Sequence, residues 1–429
     1  MKKCMMGVFL AAALFLLTAC GTEKAAPATE EATAAEAAFA PALDTQAELS
    51  LNIVGEYGNF EALEQVIQDF QQYYPNVDIS YEQIADFTTG FPVRCAGGDS
   101  IDLFFISNIN YDVVYHGAVT EYGVDLNTIS GINLSAVNEK ALAAGQVSGK
   151  QMLLPVFYQT YGLIANTTLL KKYDLSVPST YEELEAACET LMAKGVIPLF
   201  GGHGLRSRIY VSDVLCRLMR AENSAELCAG LEQGILPESL LTNVVASCQS
   251  WMDKGYFNPE ADTLKDTYNA AILRFFEGDI PFLVASSDTI SGCKKREAKS
   301  EAFTANPFEY TYLIPSVTPD NEPAMLLTQM FFGVYNHSQN QAYANEFMRF
   351  MARGDELKTL AVVKGMPSTT EKTGDSRFTQ TEALTADRKA YSVDCGISFQ
   401  ALSSLYGAFS NADPNDAAAL AADFAPRMQ

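Results

Sequence analysis

Apolar and polar residues follow one another from residue 48 onward in an order that predicts strands and helices in turn. Residues 48–54 alternate in the manner of a first strand, residues 60–74 carry their apolar side chains on one helical face, and residues 77–81 alternate again. A strand, helix and strand in this order are typical of a parallel sheet. The continuous apolar run at residues 101–106 then predicts a fully buried strand.

The same spacing predicts further elements toward the C-terminus. Helices are expected at residues 85–98, 180–194, 210–219, 240–254, 268–277 and 339–351, and strands at residues 195–200, 280–285, 313–315 and 330–335. Their alternation along the chain indicates an α/β protein.

Residues 149–183 contain the clearest transition in the chain. An apolar run at residues 152–157 is interrupted by a polar elbow at residues 159–161, after which the chain is apolar again. Beyond the elbow, Pro178 disfavours helix at the residue before it, and Thr180 stands three residues before Glu183, which is the spacing of a capping box. Two short strands joined by a polar elbow predict a hinge, and a helix is expected to begin near Thr180.

The segment GKQMLLPVFYQTYGLIANTTLLKKYDLSVPSTYEELEAACETL, residues 149–191, resembles a segment of family 1 of the extracellular solute-binding proteins, the relatives of the maltose-binding protein. In that family this segment carries the chain from the first lobe into the second, beside the ligand cleft. Shorter stretches that resemble the family are GDSIDL at residues 98–103, WMDKGYFNP at 251–259 and GMP at 365–367.

The resemblance implies a two-lobed periplasmic-binding-protein-like type II fold, in which each lobe is a mostly parallel sheet flanked by helices and a hinge links the two. On this basis residues 48–158 and 288–336 are expected to form lobe 1, and residues 159–287 and 337–429 to form lobe 2. Closure about Gln159, Ser287 and the connection near Asn336 would bury a ligand between the lobes.

The N-terminus resembles a bacterial lipoprotein signal. Lys2 and Lys3 precede an apolar run at residues 7–17 that is short for a membrane span, and Leu17-Thr18-Ala19-Cys20 has the form of a lipobox. Residues 1–20 are therefore expected to be a signal peptide, with lipid attached to Cys20. The alternative is an ordinary secretory signal that ends in an incidental cysteine. Residues 21–47 are rich in Ala, Thr, Glu and Pro and predict a flexible stalk.

Charge and cysteine content narrow the function classes. The chain has 29 basic and 52 acidic residues, a formal net charge of −23, which disfavours binding to nucleic acid or to anionic lipid surfaces. Beyond Cys20, the seven remaining cysteines are odd in number and contain no CxxC pair, so neither a disulfide framework nor a zinc site is indicated. If a disulfide exists, Cys216 and Cys228 are the pair to test. No cofactor or metal is expected.

Ligand-binding candidates follow from the rule that open α/β sheets bind ligands outside the carboxyl ends of their strands. Sugars need planar side chains for their CH faces and paired donors and acceptors for their hydroxyls, and the loops at these ends supply both. The candidates are Glu56, Tyr57, Asn59, Asn108, Asn110, Tyr111, Tyr158, Gln159, Tyr161, His203, Arg206, Arg208, Ser287 and Asp288.

Structural roles compete with binding at several of these positions. Arg206 and Arg208 lie in a chain rich in acids, so one of them is expected to pair with a surface carboxylate. Tyr57 also fits a side chain packed at the base of its loop. His203 between glycines fits a loop that needs a positive φ nearby. Trp251 has apolar neighbours on a predicted helix and is expected in the core rather than against a sugar.

The sequence therefore predicts a membrane-anchored extracellular solute-binding component of an ABC importer. By family resemblance its solute is a sugar or oligosaccharide and its protein partner is the permease, and the protein is expected to be monomeric on the outer face of a bacterial membrane. The alternatives are a non-sugar solute, such as a peptide, polyamine or anion, and a surface-anchored glycan hydrolase. The hydrolase is the weaker alternative because no Gly-x-Ser-x-Gly, His-Glu-x-x-His or P-loop motif is present.

Overall fold

Two separate β-sheets, each flanked by helices, organise the protein. The computed structural model describes residues 38–58, 60–107, 113–264, 267–320, 324–370, 374–386, 390–392, 397, 399–411 and 417–424. The strands are β1 Leu49–Gly55, β2 Val77–Gln83, β3 Leu103–Ser107, β4 Gln146–Val147, β5 Lys150–Gln151, β6 Leu154–Gln159, β7 Tyr161–Asn166, β8 Leu199–Phe200, β9 Phe282–Ser286, β10 Tyr310–Leu313, β11 Ala324–Val334 and β12 Ala390–Ser392.

Helices connect most of these strands. They are α1 Glu61–Gln71, α2 Phe87–Gly97, α3 Val113–Tyr122, α4 Glu139–Ala144, α5 Thr167–Lys172, α6 Tyr181–Ala193, α7 His203–Arg220, α8 Ser224–Glu232, α9 Glu238–Asp253, α10 Thr267–Phe275, α11 Thr289–Glu297, α12 Glu301–Ala305, α13 Gln341–Met351, α14 Gly354–Lys364, α15 Thr379–Ala386, α16 Phe399–Asn411 and α17 Ala417–Phe424, with short 3-10 turns at Leu126–Thr128, Pro259–Thr263 and Ser376–Phe378. None of the helices in the described ranges is both long and apolar enough to cross a bilayer.

The first sheet has the strand order β12-β11-β3-β1-β2, and β6 also pairs with β11. β1 is parallel to β2 and β3, whereas β11 is antiparallel to β3 and β6. The second sheet has the order β10-β7-β9-β8, and β7 is antiparallel to both of its neighbours. The expectation of a mostly parallel sheet in each lobe therefore does not hold for the second sheet. There β7 starts at the first crossing whereas β9 ends near it, so the two strands run in opposite directions.

The core clusters show which segments belong to which lobe. Phe347 and Phe350 of α13 and Leu357 of α14 lie in one core with Phe70 of α1, so α13 and α14 belong to lobe 1, not lobe 2 as predicted. Ile290 and Cys293 of α11 and Tyr312 of β10 share a core with Ile164 of β7, so the segment after residue 288 stays in lobe 2 through β10.

These assignments move two of the three predicted crossings between the lobes. The first, from β6 to β7 through the polar elbow, lies where the sequence predicts it. The second lies within β11, well after Ser287, because Leu327 shares the core of lobe 2 and Met330 that of lobe 1. The third follows Ser368, which bridges to Phe157 of lobe 1, and precedes Phe378, which is buried in lobe 2. Asn336 is not a crossing, since its Nδ2 donates to the Glu121 carbonyl within lobe 1 at 2.9 Å.

Helix α6 begins as its sequence predicts. The Thr180 hydroxyl accepts from the Glu183 N–H at 3.2 Å, and the Glu183 carboxylate accepts from the N–H and the hydroxyl of Ser179, each at 2.7 Å. The acid thus reaches back one residue further than in the usual capping box. Gly195, just beyond the helix, has φ 78°, the left-handed conformation that favours glycine.

Part of the predicted stalk is folded onto lobe 1. Phe39 is only 6% exposed and packs edge-on against Phe350 at a ring centroid distance of 4.9 Å, with the Arg349 guanidinium 4.3 Å from its ring centroid. The Ala42 N–H donates to Glu346 Oε1 at 2.9 Å, and Arg349 donates to the Ala40 carbonyl at 2.7 Å. Residues 39–47 are therefore not a flexible stalk, because one aromatic anchor and these hydrogen bonds fix their N-terminal half.

Removing the folded end of this segment should destabilise the protein. A chain that begins at Gln46 loses the buried Phe39 side chain and the bonds of Ala40 and Ala42, so its unfolding free energy should fall by about 2–4 kcal/mol relative to a chain that begins at Phe39. Chemical denaturation of both chains measures the difference. Phe39→Ala in the longer chain should reproduce a large part of it. Equal midpoints for the two chains would show that the segment contributes nothing.

Candidate functional site

The first crossing and the end of β9 are held together by buried hydrogen bonds. The Thr160 N–H donates to Ser287 Oγ at 3.1 Å, and the Ser287 N–H donates to the Thr160 carbonyl at 2.9 Å. The Tyr312 hydroxyl also donates to the Thr160 carbonyl at 2.9 Å. Thr160, Ser287 and Tyr312 are all 0% exposed. Residues 159–161 and 286–288, which we call the lobe junction, therefore form a fixed point between the two sheets.

A chain of polar contacts starts from this junction and runs into lobe 2. Gln159 Nε2 donates to Asp288 Oδ1 at 3.2 Å, and the Tyr161 hydroxyl donates to Gln159 Oε1 at 3.4 Å. Arg208 Nη1 donates to the Tyr161 hydroxyl at 3.5 Å, and its guanidinium lies 5.4 Å from the Tyr161 ring centroid and 5.7 Å from that of Tyr406. Helices α7 and α16 thus each present a side chain at the junction.

Lobe 1 contributes the loop that follows β1. The Tyr81 hydroxyl donates to the Tyr57 carbonyl at 2.6 Å and accepts from the Tyr57 N–H at 3.0 Å. Glu56 accepts from the Ser107 N–H at 3.2 Å and from the Ser107 hydroxyl. A Cβ on Gly55 would come within 2.7 Å of Phe105, so this close approach requires glycine. The carboxyl ends of β1 and β3 therefore meet as the sequence predicts.

Side chains of the two lobes act on one another across the junction. Lys364, the last residue of α14, lies 4.8 Å from the Tyr57 ring centroid. Burial raises the pKa of Tyr57 above its ordinary range, and the charges of Glu56 and Asp288 add to the shift. Burial lowers the pKa of Lys364, which the Asp288 carboxylate opposes. Since Asp288 lies in lobe 2, its charge acts across the junction on Tyr57 and Lys364 of lobe 1.

Gln329 belongs to the same site, although the sequence analysis did not select it. It lies at a register shift between β11 and β6, where the pairing skips from Thr328 to Met330. A hydrogen bond from its amide tends to lower the pKa of Tyr57. Its Oε1 is buried and has no hydrogen-bond donor among the described residues. The signal that would have found it is the polar pair Thr328-Gln329 inside an otherwise apolar strand.

The structure brings together only some of the predicted site residues. Gln159, Tyr161 and Asp288 belong to the junction and Arg208 bonds to Tyr161, while Tyr57 is influenced by the charges of Glu56 and Asp288. Asn59, Asn108, Asn110, Tyr111 and the side chain of His203 lie outside the described residues.

Three predicted residues have structural roles instead. Tyr158 is 2% exposed and lies in the core of lobe 1, because neighbours along a strand point to opposite faces and Gln159 takes the open one. Ser287 is a buried part of the junction itself. Arg206 pairs with Asp262, with Nη2 and Oδ2 3.2 Å apart, and its guanidinium lies 5.0 Å from the Phe257 ring centroid. It is thus the arginine that pairs with an acid.

Other expectations concern residues away from the junction. Trp251 is fully buried in lobe 2, as predicted, and stacks on Tyr181. Cys216 and Cys228 are buried thiols, whereas Cys20 and Cys395 lie outside the described residues. Within the described ranges, no three His, Cys, Asp or Glu side chains are grouped so that they could hold a metal ion.

The chain also matches a known sequence family. The family model described as bacterial extracellular solute-binding protein matches residues 65–387. The chain belongs to this family. A similar protein is the multiple sugar-binding protein of Streptococcus mutans serotype c. The two sequences are 20% identical over 329 residues, and the match covers 75% of each chain. The predicted family relationship is therefore confirmed.

Solved structures of similar proteins share the fold of this solute-binding protein. RafE from Streptococcus pneumoniae in its apo form matches with a TM-score of 0.69 at 15% identity, over 89% of this chain and 98% of RafE. RafE in complex with raffinose matches with a TM-score of 0.66 at 14% identity, over 89% and 100%. A Bacillus licheniformis sugar transporter protein in complex with stachyose gives 0.59 at 18% identity, over 89% and 100%. The two-lobed type II fold is thus confirmed.

The electrostatic influence of Asp288 across the junction of this solute-binding protein can be tested on Lys364. The Asp288 carboxylate favours the ammonium form, so Asp288→Asn should lower the Lys364 pKa further and increase the fraction of neutral amine. Only the neutral amine is acetylated, so the reaction rate follows that fraction. The rate of Lys364 acetylation at pH 8, followed by peptide mass mapping, should rise accordingly, while Asp69→Asn on α1 should leave it unchanged. A rate that stays constant or falls in Asp288→Asn would contradict this electrostatic coupling.

Proposed function

We propose that this solute-binding protein captures a sugar or oligosaccharide at the lobe junction and delivers it to the permease of an ABC importer. The observation that carries the proposal is the convergence of an aromatic ring, Tyr57, with the amide of Gln159, the carboxylate of Asp288 and the guanidinium of Arg208 at the contact between two lobes. Flat apolar faces and paired donors and acceptors are what a sugar ring requires.

Similar proteins support the choice of solute class. The solved structures with the same fold include RafE with raffinose, a sugar transporter protein with stachyose and a chitin oligosaccharide binding protein. In our proposal the lobes close about the three crossings, bury the solute between them and present a closed surface to the permease, with the protein acting as a monomer. The protein transforms nothing chemically, and ATPase subunits elsewhere drive transport.

Thermal unfolding against a panel of solutes tests the proposal. The protein from Phe39 onward is heated with mono- and oligosaccharides, amino acids, short peptides, polyamines and inorganic anions. A solute that binds only the folded state stabilises it by about 2.7 kcal/mol at 100 times its Kd, so the midpoint should rise with the dose of one sugar class. Tyr57→Ala should weaken that sugar about tenfold or more, because the ring at the junction is lost.

Tyr158→Phe is the matched control, since it changes a tyrosine one residue from the junction that faces the core, and it should leave the affinity unchanged. A midpoint shift with a peptide, polyamine or anion and with no sugar would replace the proposed solute class. Release of free sugar from an oligosaccharide in the same samples, without a stoichiometric complex, would favour the surface-anchored glycan hydrolase.

We also propose that a lipid on Cys20 holds the protein on the extracellular face of the bacterial membrane. The support is the lipobox Leu17-Thr18-Ala19-Cys20 behind a short apolar run, together with membership in an extracellular family. A lipid on Cys20 places the anchor upstream of Phe39, which is fixed on lobe 1. The tether would then attach to lobe 1, and lobe 2 would move relative to it on closure.

Fatty-acid labelling in a bacterial host tests the anchor. Wild-type protein should incorporate labelled palmitate and remain with the membranes after washing in high salt. Cys20→Ser should incorporate none and appear in the soluble fraction, whereas Cys95→Ser, which changes a buried thiol of lobe 1, should behave as wild type in both assays. If wild-type protein incorporates no label and Cys20→Ser is secreted in the same way as wild type, residues 1–20 are an ordinary secretory signal instead.

A further inference from the structure

Most of the described arginines in this protein form an ion pair with a carboxylate. Each of six has a carboxylate oxygen within 3.2 Å: Arg94, Arg206, Arg217, Arg274, Arg349 and Arg377. Arg208 and Arg296 are different, because among the described residues no carboxylate lies within ion-pair distance of either, and Arg296 donates instead to the Gly292 carbonyl and to Asn269. In a chain with 52 acidic and 29 basic residues, an arginine without an acid is conspicuous.

The setting of Arg208 leaves its hydrogen-bonding capacity largely unused. Its guanidinium lies beside the contacting ring pair of Tyr161 and Tyr406, whose centroids are 5.9 Å apart, and its only side-chain hydrogen bond to a described residue is the 3.5 Å contact with the Tyr161 hydroxyl. A guanidinium has five N–H donors in a fixed planar fork. The two rings orient this fork, and the donors remain available to a molecule at the junction.

The charges around the junction do not repel an anion, although the protein as a whole is acidic. The charged side chains that act on Tyr57, Tyr161 or Lys364 include Arg208, Lys295, Glu56, Glu61 and Asp288, so that with Lys364 itself there are three cations and three anions. Two of the carboxylates already accept hydrogen bonds, Glu56 from Ser107 and Asp288 from Gln159. The N–H groups of Arg208 are thus more numerous than the hydrogen-bond acceptors that the site itself offers them.

On the lobe 1 side of the site, a hydrogen-bond acceptor lacks a donor. Gln329 Oε1 is a buried acceptor with no donor among the described residues, and an unpaired buried acceptor is costly unless a bound molecule supplies an N–H or O–H. Gln329 and Arg208 reach the junction from different lobes, and helix α7 packs against β11, which carries Gln329. One solute that carries both hydroxyl donors and a strong planar acceptor would satisfy both residues.

We propose that the solute is an acidic sugar, such as a uronic acid or an oligosaccharide that contains one, whose carboxylate forms a two-pronged hydrogen-bonded pair with Arg208 while a ring hydroxyl donates to Gln329 Oε1. This inference rests on the proposed capture of a sugar at the junction and narrows its class. The planar fork of arginine matches the two oxygens of a carboxylate, and such charge-assisted pairs are stronger than neutral hydrogen bonds. The contacting rings of Tyr161 and Tyr406, whose centroids lie 5.4 and 5.7 Å from the Arg208 guanidinium, hold the fork in position before the solute arrives.

Calorimetric titration with matched solutes tests the inference on the protein from Phe39 onward. The probes are glucuronate and glucose, digalacturonate and its dimethyl ester, and succinate as a carboxylate without a sugar. The acid of each sugar pair should bind about tenfold or more tightly than its uncharged partner. Arg208→Gln should reduce the affinity for the acid by about tenfold or more and change that for the uncharged sugar by less than about threefold.

Two further variants separate binding from folding. Arg208→Lys keeps the charge but not the fork, so it should retain an intermediate preference for the acid. Arg94→Gln removes an arginine on α2 that is paired with Glu82 and Asp99, and it should leave the preference intact. Thermal midpoints without solute establish that each variant is folded.

The outcomes separate this inference from the proposed function. If the uncharged sugars bind as tightly as the acids, or if Arg208→Gln weakens both members of a pair equally, the acidic-sugar assignment is wrong and sugar capture stands. If succinate binds tightly and no sugar does, both proposals fail and the solute is a simple carboxylic acid.

Discussion

Buried hydrogen bonds around Thr160 hold the first crossing of the chain against the end of β9 and against β10. Thr160 is the single residue between β6 of the first sheet and β7 of the second, and its N–H and carbonyl are both satisfied by Ser287 at the end of β9. The Tyr312 hydroxyl of β10 donates a further hydrogen bond to the Thr160 carbonyl. Since a buried backbone group without a partner is costly, this point cannot shift without loss of several bonds. Polar side chains that flank it, Gln159 and Asp288, are consequently placed side by side.

Local signals in the sequence were sufficient where the structure is decided locally. The cap of α6, its glycine stop and the polar elbow are encoded by residue types within a few positions of one another, and each lies where the sequence predicts it. Lobe membership is not decided locally. The apolar faces of α11 and α13 would fit either core, and only the tertiary packing against Ile164 or Phe70 shows which lobe each helix completes. The predicted boundaries at residues 288 and 336 fail for this reason.

The N-terminal segment shows the limit of composition as a guide. Residues 21–47 average to a sequence that is too polar and too small to bury surface, but the average conceals one aromatic residue. Phe39 inserts beside Phe350 and Tyr73 and is covered by Arg349, and the bonds of Ala40 and Ala42 follow from that single insertion. Phe39 can be buried only because side chains far along the chain form a surface for it, and no property of the segment itself reveals that surface. The predicted stalk is therefore too long at its C-terminal end.

The two arginines near the start of α7 illustrate why a binding residue and a structural residue can look alike in a sequence. Positions two apart on a helix differ by about 200° around its axis, so Arg206 and Arg208 cannot face the same way. Arg206 turns into lobe 2, where a buried charge requires a partner, and Asp262 provides it. Arg208 turns toward the junction and meets two tyrosine rings that hold a cation without neutralising it. The residue type is the same in both places, and only the position of Asp262, more than fifty residues away, separates a charge that completes the fold from one that remains available to a ligand.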